Sequence, residues 1–300
     1  MARRVLLIDD DRLQFRVTQA HFSGFPSGVY ELEWAATYEE GLARLLTGGY
    51  AVCLLDYQLG ERDGLRLIRE AVAEGCRTPI VFLTAETADR VDLAAMDAGA
   101  LDYLVKGEIT PRMLERSLRY AVKLADTLDA LRRLATHDEL TGLLNRREFD
   151  RILHEEEQRA TRFGHALALV MVDVDHFKSI NDTHGHPAGD GLLRELARRL
   201  SHCVRSVDRV ARVGGEEFGL ILVQSDCAAA LQIGQRVCAA IRAEPITVSG
   251  TLALPITVSA GVAALPQHAR TATELIAAAD RALYAAKAAG RDRAMAFGPA

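Results

Sequence analysis

What the chain has little of narrows its function first. Basic residues do not dominate: 36 Lys and Arg against 41 Asp and Glu leave a net charge of −5, so no excess positive field draws the chain onto nucleic acid or anionic lipid. Long apolar runs are missing as well. Those at 166–172 and 52–55 fall far short of the roughly 20 residues that span a bilayer, and the apolar stretch after Met1-Ala-Arg-Arg is too short for a secretion signal. Cysteine is scarce and scattered. Cys53, Cys76, Cys203, Cys227 and Cys238 form no CxxC pair, which points to reduced thiols in a cytoplasmic protein, buried as small hydrophobes. Nor is the chain poor in core-forming residues, since 49% apolar and 26% charged is an ordinary globular balance and excludes wholesale disorder. There is no internal repeat. With 300 residues, and roughly 150 per domain, two domains are expected.

The two halves read differently. Apolar runs at 5–9, 30–35, 51–56, 79–84 and 101–105 alternate with amphipathic segments that begin near Arg12, Tyr38, Gly64, Thr87 and Thr110. This alternation predicts an α/β domain over residues 1–125, a doubly wound five-stranded parallel sheet. Thr110-Pro111 is a helix-start signal, and neither Gly nor Pro recurs before Gly142, so one long helix is expected over 111–136. Within it Ala121, Leu124, Leu128, Leu131 and Ala135 form a heptad seam flanked by Lys123, Asp126, Asp129, Arg132 and Arg133. Two copies could pair there as a homodimer, or the face could pack on its own domain. From 137 to 300 the pattern predicts an α+β domain. Its helices are expected at 146–163, 190–204, 228–243 and 273–289, its strands at 166–173, 208–213, 217–223 and 256–263, with a hairpin turn at Gly214-Gly215.

In a parallel sheet ligands bind beyond the carboxyl ends of the strands. There the first half places Asp9 and Asp10, then Asp56, Thr84 and Lys106. Clustered carboxylates repel unless a hard cation such as Mg²⁺ or a lysine compensates them, and an aspartate can take a phosphoryl group as a nucleophile. The runs Ile8-Asp9-Asp10-Asp11, Leu54-Leu55-Asp56, Phe82-Leu83-Thr84-Ala85 and Tyr103-Leu104-Val105-Lys106 resemble the receiver domain of two-component response regulators. The resemblance implies that Asp56 accepts the phosphoryl group from a histidine kinase. It also implies that Asp10, Asp56 and the Gln58 carbonyl bind Mg²⁺, with Asp9 helping through water, and that Thr84 and Tyr103 form a switch pair alongside Lys106. Gly107 stands where the family usually has Pro, and Leu59-Gly60 replaces its common Met-Pro.

The second half carries Asp173-Val174-Asp175-His176-Phe177-Lys178, then Asn181 and Gly185-His186-Pro187-Ala188-Gly189-Asp190. An EF-hand starting at Asp173 fails, because Lys178 and His184 stand where Gly and Glu are needed. Zinc binding through His176, His184 and His186 stays open, though the spacing fits no standard zinc pattern. Asp173 and Glu216, on adjacent strands, could instead share one or two Mg²⁺ ions, the arrangement that clamps an in-line phosphoryl displacement. Gly214 and Gly215 would let backbone approach a bulky nucleotide.

Gly214-Gly215-Glu216-Glu217-Phe218, with Asp138-Glu139-Leu140-Thr141-Gly142-Leu143-Leu144-Asn145-Arg146-Arg147 at the entrance, is similar to the GGDEF diguanylate cyclases over about residues 136–297. What the resemblance implies is a palm-like nucleotidyl cyclase fold joining two GTP into cyclic di-GMP with release of two pyrophosphates. Asp173, the Val174 carbonyl and Glu216 would bind Mg²⁺ (Mn²⁺ is an alternative), and Glu216 would also act as the base. Asn181 and Asp190 would read guanine, His186 would touch the nucleotide, and Phe177-Lys178, Lys287 and Arg291 would hold phosphates. Arg205-Ser206-Val207-Asp208 resembles the family's inhibitory RxxD product site, with Arg236 contributing; an exposed surface pair of little consequence is the plain alternative. Expected control runs from Asp56 through dimerisation to the meeting of two catalytic domains. Two rivals remain: a non-catalytic GTP or cyclic di-GMP sensor, and a transcriptional regulator, which the absence of a basic recognition helix disfavours.

Overall fold

A computed structural model describes residues 2–26, 28–85, 96, 98–248 and 252–298. The chain forms two compact units, Met1–Leu131 and Arg132–Ala300. In the first, β1 (Arg3–Ile8), α1 (Arg12–Phe22), β2 (Tyr30–Ala35), α2 (Tyr38–Thr47) and β3 (Val52–Asp56) are followed by a two-residue pair, β4 (Gln58–Leu59) and β5 (Arg62–Asp63). Then come α3 (Gly64–Ala73), β6 (Ile80–Thr84), β7 (Asp102–Val105) and α4 (Pro111–Thr136). The helix expected from Thr87 lies outside the described residues.

Five strands pair in parallel in the order β2-β1-β3-β6-β7, as the sequence alternation predicts. Every residue of β3 and β6 is buried, so these strands read as unbroken apolar runs, with helices covering both faces. Side chains Leu6, Ile8, Leu55 and Phe82 pack on one face, Val5, Leu7, Leu54 and Leu83 on the other. Because β1 is followed by β2 on one side while β3 lies on its other side, the order reverses between β1 and β3. That switch point opens a crevice at the carboxyl ends of both strands, where Asp9, Asp10 and Asp56 fall.

The seam on α4 begins later than its heptads suggest. Ala121 is 3% exposed and packs with Leu114, Leu118 and Val122 in the core of the first unit. Only from Leu124 onward do Leu124, Leu128 and Leu131 stand exposed.

The second unit contains α5 (Arg146–Phe163), β8 (Leu167–Val174), α6 (Phe177–His184), α7 (His186–His202), β9 (Arg209–Arg212) and β10 (Glu217–Val223). After them come α8 (Cys227–Ala243), β11 (Ile246–Val248), β12 (Leu252–Leu254), β13 (Val258–Leu265), α9 (Ala272–Ala288) and β14 (Ala294–Ala296). The main sheet runs β14-β13-β8-β10-β9, with β8 central and antiparallel to both neighbours. β14, the β11–β12 pair and α6 are additions to the sequence-predicted elements. β8 and β13 are buried along their whole length. Helices α7 and α8 cover one face of the sheet, and α5 and α9 the other.

Gly261 sets the depth at which α9 lies. A Cβ there would run into the backbone of Ala279 and Leu283, so the helix can rest on β13 only because the side chain is missing. Gly261→Ala is expected to lower the stability of the second unit by ~1–3 kcal/mol through overpacking, read as an earlier midpoint in denaturant unfolding.

Candidate functional site

The first site lies at the β1/β3 crevice. Asp9 is 0% and Asp56 7% exposed, and ligand oxygens of Asp9, Asp10 and Asp56 all lie within 4.8 Å of one another. Lys106, just past β7, donates to both Asp9 Oδ2 and Asp56 Oδ1 at 2.9 Å. Burial pushes the Asp56 carboxyl up to about 6, against the Lys106 hydrogen bond that lowers it; burial likewise raises Asp9. Lys106 is lowered by burial, yet its bonds to Asp56 and Asp9 outweigh that and lift it above the ordinary ammonium range. One ammonium against three carboxylates leaves a residual negative charge. An all-oxygen donor set with that excess fits a hard divalent cation, so the residues present suit Mg²⁺.

Local structure explains how the acids are aimed. Asp11 caps α1 by accepting from Leu13 N–H at 2.7 Å, its own N–H donates to Asp9 Oδ1 at 2.9 Å, and Gly60 N–H donates to Asp10 Oδ2 at 2.9 Å. Gln58 and Thr84 line the same cleft. Thr84 is buried, whereas the Tyr103 ring is 39% exposed. Trp34, the sole tryptophan, donates from its indole Nε1 to the Asp9 carbonyl at 2.7 Å and stacks on Phe15.

The second site centres on Asp173 near the end of β8. Its cross-strand partner on β10 is Glu217, the acid next to Glu216. Glu216 itself occupies the turn, and its carbonyl accepts from Val174 N–H at 3.4 Å. Glu217 went unnoticed in the sequence because spacing does not reveal which of two adjacent acids meets Asp173. Burial, and then the charge of Asp173, raises the Glu217 carboxyl. Lys287 on α9 donates to Asp173 Oδ2 at 2.7 Å, so the lysine expected on phosphates here neutralises the strand-end acid.

Around the turn the backbone is held from outside. Arg212 donates from Nε and Nη2 to the Gly215 carbonyl at 3.0 and 2.7 Å, and from Nη1 to both oxygens of Asp138 at 3.1 Å. Thr141 completes the brace with its N–H and hydroxyl on Asp138 Oδ1. A Cβ on Gly215 would meet nothing within 4 Å, so nothing in the protein itself requires glycine there.

Helices α6 and α7 bring Asn181 against Gly189, the residue before Asp190. A Cβ on Gly189 would overlap the Asn181 amide oxygen; that oxygen is buried without a hydrogen-bond partner, a polar atom of the kind that a ligand or ion explains. Phe177 departs from its expected role: it is 9% exposed and belongs to the core, leaving only its backbone for phosphates. Lys178, His186 and Arg291 are exposed. The oxygen donors of Asp173, Val174 and Glu216 suit Mg²⁺ by chemistry.

Asp208 is more a brace than a docking group. Its carboxylate, fully buried, accepts from the N–H groups of Arg205 at 2.9 Å and Val223 at 3.2 Å. Arg205, its side chain 60% exposed, donates from Nη2 to Ser225 Oγ at 3.1 Å, and Arg236 donates to the Cys203 carbonyl at 2.6 Å.

Comparison with known proteins decides the family. Residues 135–293 match the model of the diguanylate cyclase GGDEF domain. The chain belongs to the GGDEF family. Residues 5–119 match the response regulator receiver domain, so the GGDEF domain follows a receiver, and the sheets described above are theirs. The chain is 34% identical over 300 residues to the response regulator PleD of Caulobacter vibrioides, covering 96% of this chain and 64% of that protein. It is 34% identical over 251 residues to the diguanylate cyclase TpbB of Pseudomonas aeruginosa, covering 82% and 58%. The chain thus spans less than two thirds of either relative. The solved coiled coil and GGDEF domain of DgcB from Caulobacter crescentus, in complex with c-di-GMP, superposes with a TM-score of 0.56 at 31% identity, covering 62% of this chain and 97% of that one. The GGDEF domain of TpbB superposes with a TM-score of 0.52 at 36% identity, covering 54% and 94%. Among the described residues no helix is long and apolar enough to cross a membrane.

Trp34 makes the receiver site measurable. Its indole fluorescence is expected to change on Mg²⁺ addition, and Asp9→Asn to abolish the change. A metal bound at Asp56 would compete with the proton on a carboxyl that burial pushes up to about 6, so affinity is expected to be level above neutral pH. It should fall about tenfold or more per pH unit below that value.

Proposed function

We propose that the chain is a phosphorylation-regulated diguanylate cyclase, divided into a receiver at 1–125, a connecting helix at 111–136 and a cyclase at 137–300. The observation that supports the reading is the GGDEF-domain turn: the Glu216 carbonyl accepts from Val174 N–H, next after Asp173, on a backbone that Arg212 and Asp138 hold, next to a Gly215 open to whatever binds. Asn181 and Asp190 accept from guanine N1–H and N2, which an adenine could not supply. Lys178, Lys287, Arg291 and the Phe177 backbone hold the triphosphate, with His186 as a further nucleotide contact. As GTP phosphates arrive, Lys287 passes from Asp173 to them, freeing that carboxylate. Mg²⁺ on Asp173, the Val174 carbonyl and Glu216 would draw charge from the α-phosphate and acidify the 3′-hydroxyl. Glu216 takes the hydroxyl proton as the oxygen attacks the α-phosphorus of the other GTP and pyrophosphate leaves.

The product has two-fold symmetry. Two GTP-loaded domains meeting face to face supply both attacks, whereas one domain alone leaves the ring open. This gives the exposed stretch Leu124, Leu128 and Leu131 its use as a homodimer contact. Phosphorylation by a histidine kinase moves the phosphoryl group from histidine nitrogen to an Asp56 oxygen; Lys106 and Thr84 bond the new oxygens, Tyr103 follows, and dimerisation shifts. Cyclic di-GMP at Arg205, on the turn that Asp208 braces, and at Arg236 on α8 inhibits.

Incubated with GTP and Mg²⁺, the purified chain is expected to release cyclic di-GMP and two pyrophosphates per product. Glu216→Gln should slow it by about 10²–10⁴-fold, and Asp56→Asn should remove the response to acetyl phosphate as phosphodonor. Gly215→Ala should leave the unfolding midpoint unchanged while weakening GTP binding. Nucleotide binding with no cyclic di-GMP, with or without phosphodonor, would identify a sensor and overturn the reading.

A further inference from the structure

Asp175 stands two residues beyond Asp173 and has no part in the chemistry above. It is 4% exposed, and a carboxylate at that depth must be filled with donors. Thr257 Oγ1 donates to its Oδ2 at 2.7 Å, Ser259 Oγ to its Oδ1 at 2.7 Å, and the backbone N–H of Asp292 to Oδ2 at 3.1 Å. Its own N–H donates to the Thr257 carbonyl at 3.0 Å. Ser259 is also the cross-strand partner of Asp173 on β13, so the cluster grips the sheet directly beneath the site.

The Asp292 contact is the informative one. Between α9 and β14 the backbone turns through Gly290, Arg291 and Asp292 with φ of 107°, 61° and 47°. Two consecutive non-glycine residues in the left-handed region persist only where their surroundings hold them. The contacts that do so include Asp292 N–H on Asp175, Arg291 N–H on the Ala286 carbonyl at 3.1 Å, Arg293 Nε on the Arg291 carbonyl at 2.9 Å, and Arg242 on the Asp292 carboxylate at 2.7 Å. Of these, only the first ties the turn to the segment that carries Asp173.

Resting on the cyclase reading, we infer that Asp175 is a positioning residue for the nucleotide phosphates. Its buried carboxylate anchors the 290–292 turn to the end of β8 and thereby fixes where Arg291 stands relative to Asp173. Alanine at 175 strips the acceptor from three donors at once; the turn relaxes toward ordinary φ and Arg291 leaves the phosphates. Asparagine keeps the anchor. Its oxygen can serve Thr257 and Asp292 while its amide donates to the Ser259 hydroxyl, which accepts as readily as it donates.

The test is a double-mutant cycle on the full chain, read by calorimetric binding of 3′-deoxy-GTP with Mg²⁺, a probe that lacks the attacking hydroxyl. Asp175→Ala and Arg291→Ala should each weaken binding by about tenfold, and the double variant should be no more than about twofold weaker than the poorer single. Asp175→Asn should bind within about threefold of the native chain, and the KM for GTP should follow the same order with kcat changing less. If the alanine variant does not fold, Asp175→Ser carries the same cycle, since its hydroxyl is too short to reach Asp292. Multiplicative losses in the double variant, or native binding by Asp175→Ala, would overturn the inference while leaving the cyclase reading intact. A native chain that neither binds the probe nor makes cyclic di-GMP would overturn both.

Discussion

A carboxylate withdrawn from water must be met by donors or by positive charge, and in each half of this chain a lysine meets the acid at the end of a central strand. In the receiver, Asp9 and Asp56 share Lys106 at 2.9 Å; in the GGDEF domain Asp173 has Lys287 at 2.7 Å. Each lysine lies about 100 positions after an acid that it meets in the same unit, Asp9 or Asp173, so each pair depends on the tertiary fold of that unit. Neither lysine neutralises its neighbourhood: a third acid, Asp10, sits beside the first pair, and Glu216 and Glu217 beside the second. The surplus is a reason to bind a divalent cation. A cation held there would let a chain of net charge −5 bind phosphates.

Around these acids the fold contributes rigidity. The receiver's carboxylates are aimed by backbone N–H groups of residues 11 and 60. In the GGDEF domain the turn bearing Glu216 is braced by Arg212 and Asp138, and the turn bearing Arg291 by Asp175. Under the proposed cyclase reading, groups held this way would lose little freedom when a nucleotide binds, which is where positioning contributes to rate.

Much of this was legible in the residues. Alternation of apolar runs and amphipathic segments fixed the parallel sheet, and strand-end acids followed from it, because the chain direction of each strand decides which end a ligand meets. Register was harder to read. The pairing of Asp173 with Glu217 rather than Glu216 depends on where the hairpin turn ends, a matter of one residue that spacing does not decide. Burial was harder still: Ala121 satisfies the heptad and Phe177 the motif, yet both are core residues, since a pattern shared by two roles does not say which neighbour arrives first. Asp175 was invisible for a different reason, as its partners Thr257, Ser259 and Asp292 lie more than 80 positions away in sequence.

Under the proposed function, the two strand-end groups of acids, in separate units, are separate cation sites serving separate phosphate reactions. Calorimetric Mg²⁺ titration with and without 3′-deoxy-GTP tests it directly. One site should fill without nucleotide and a second only with it; Asp56→Asn should remove the first and spare the second, and Asp173→Asn the reverse. Nucleotide-dependent Mg²⁺ binding that survives Asp173→Asn unchanged would contradict the account.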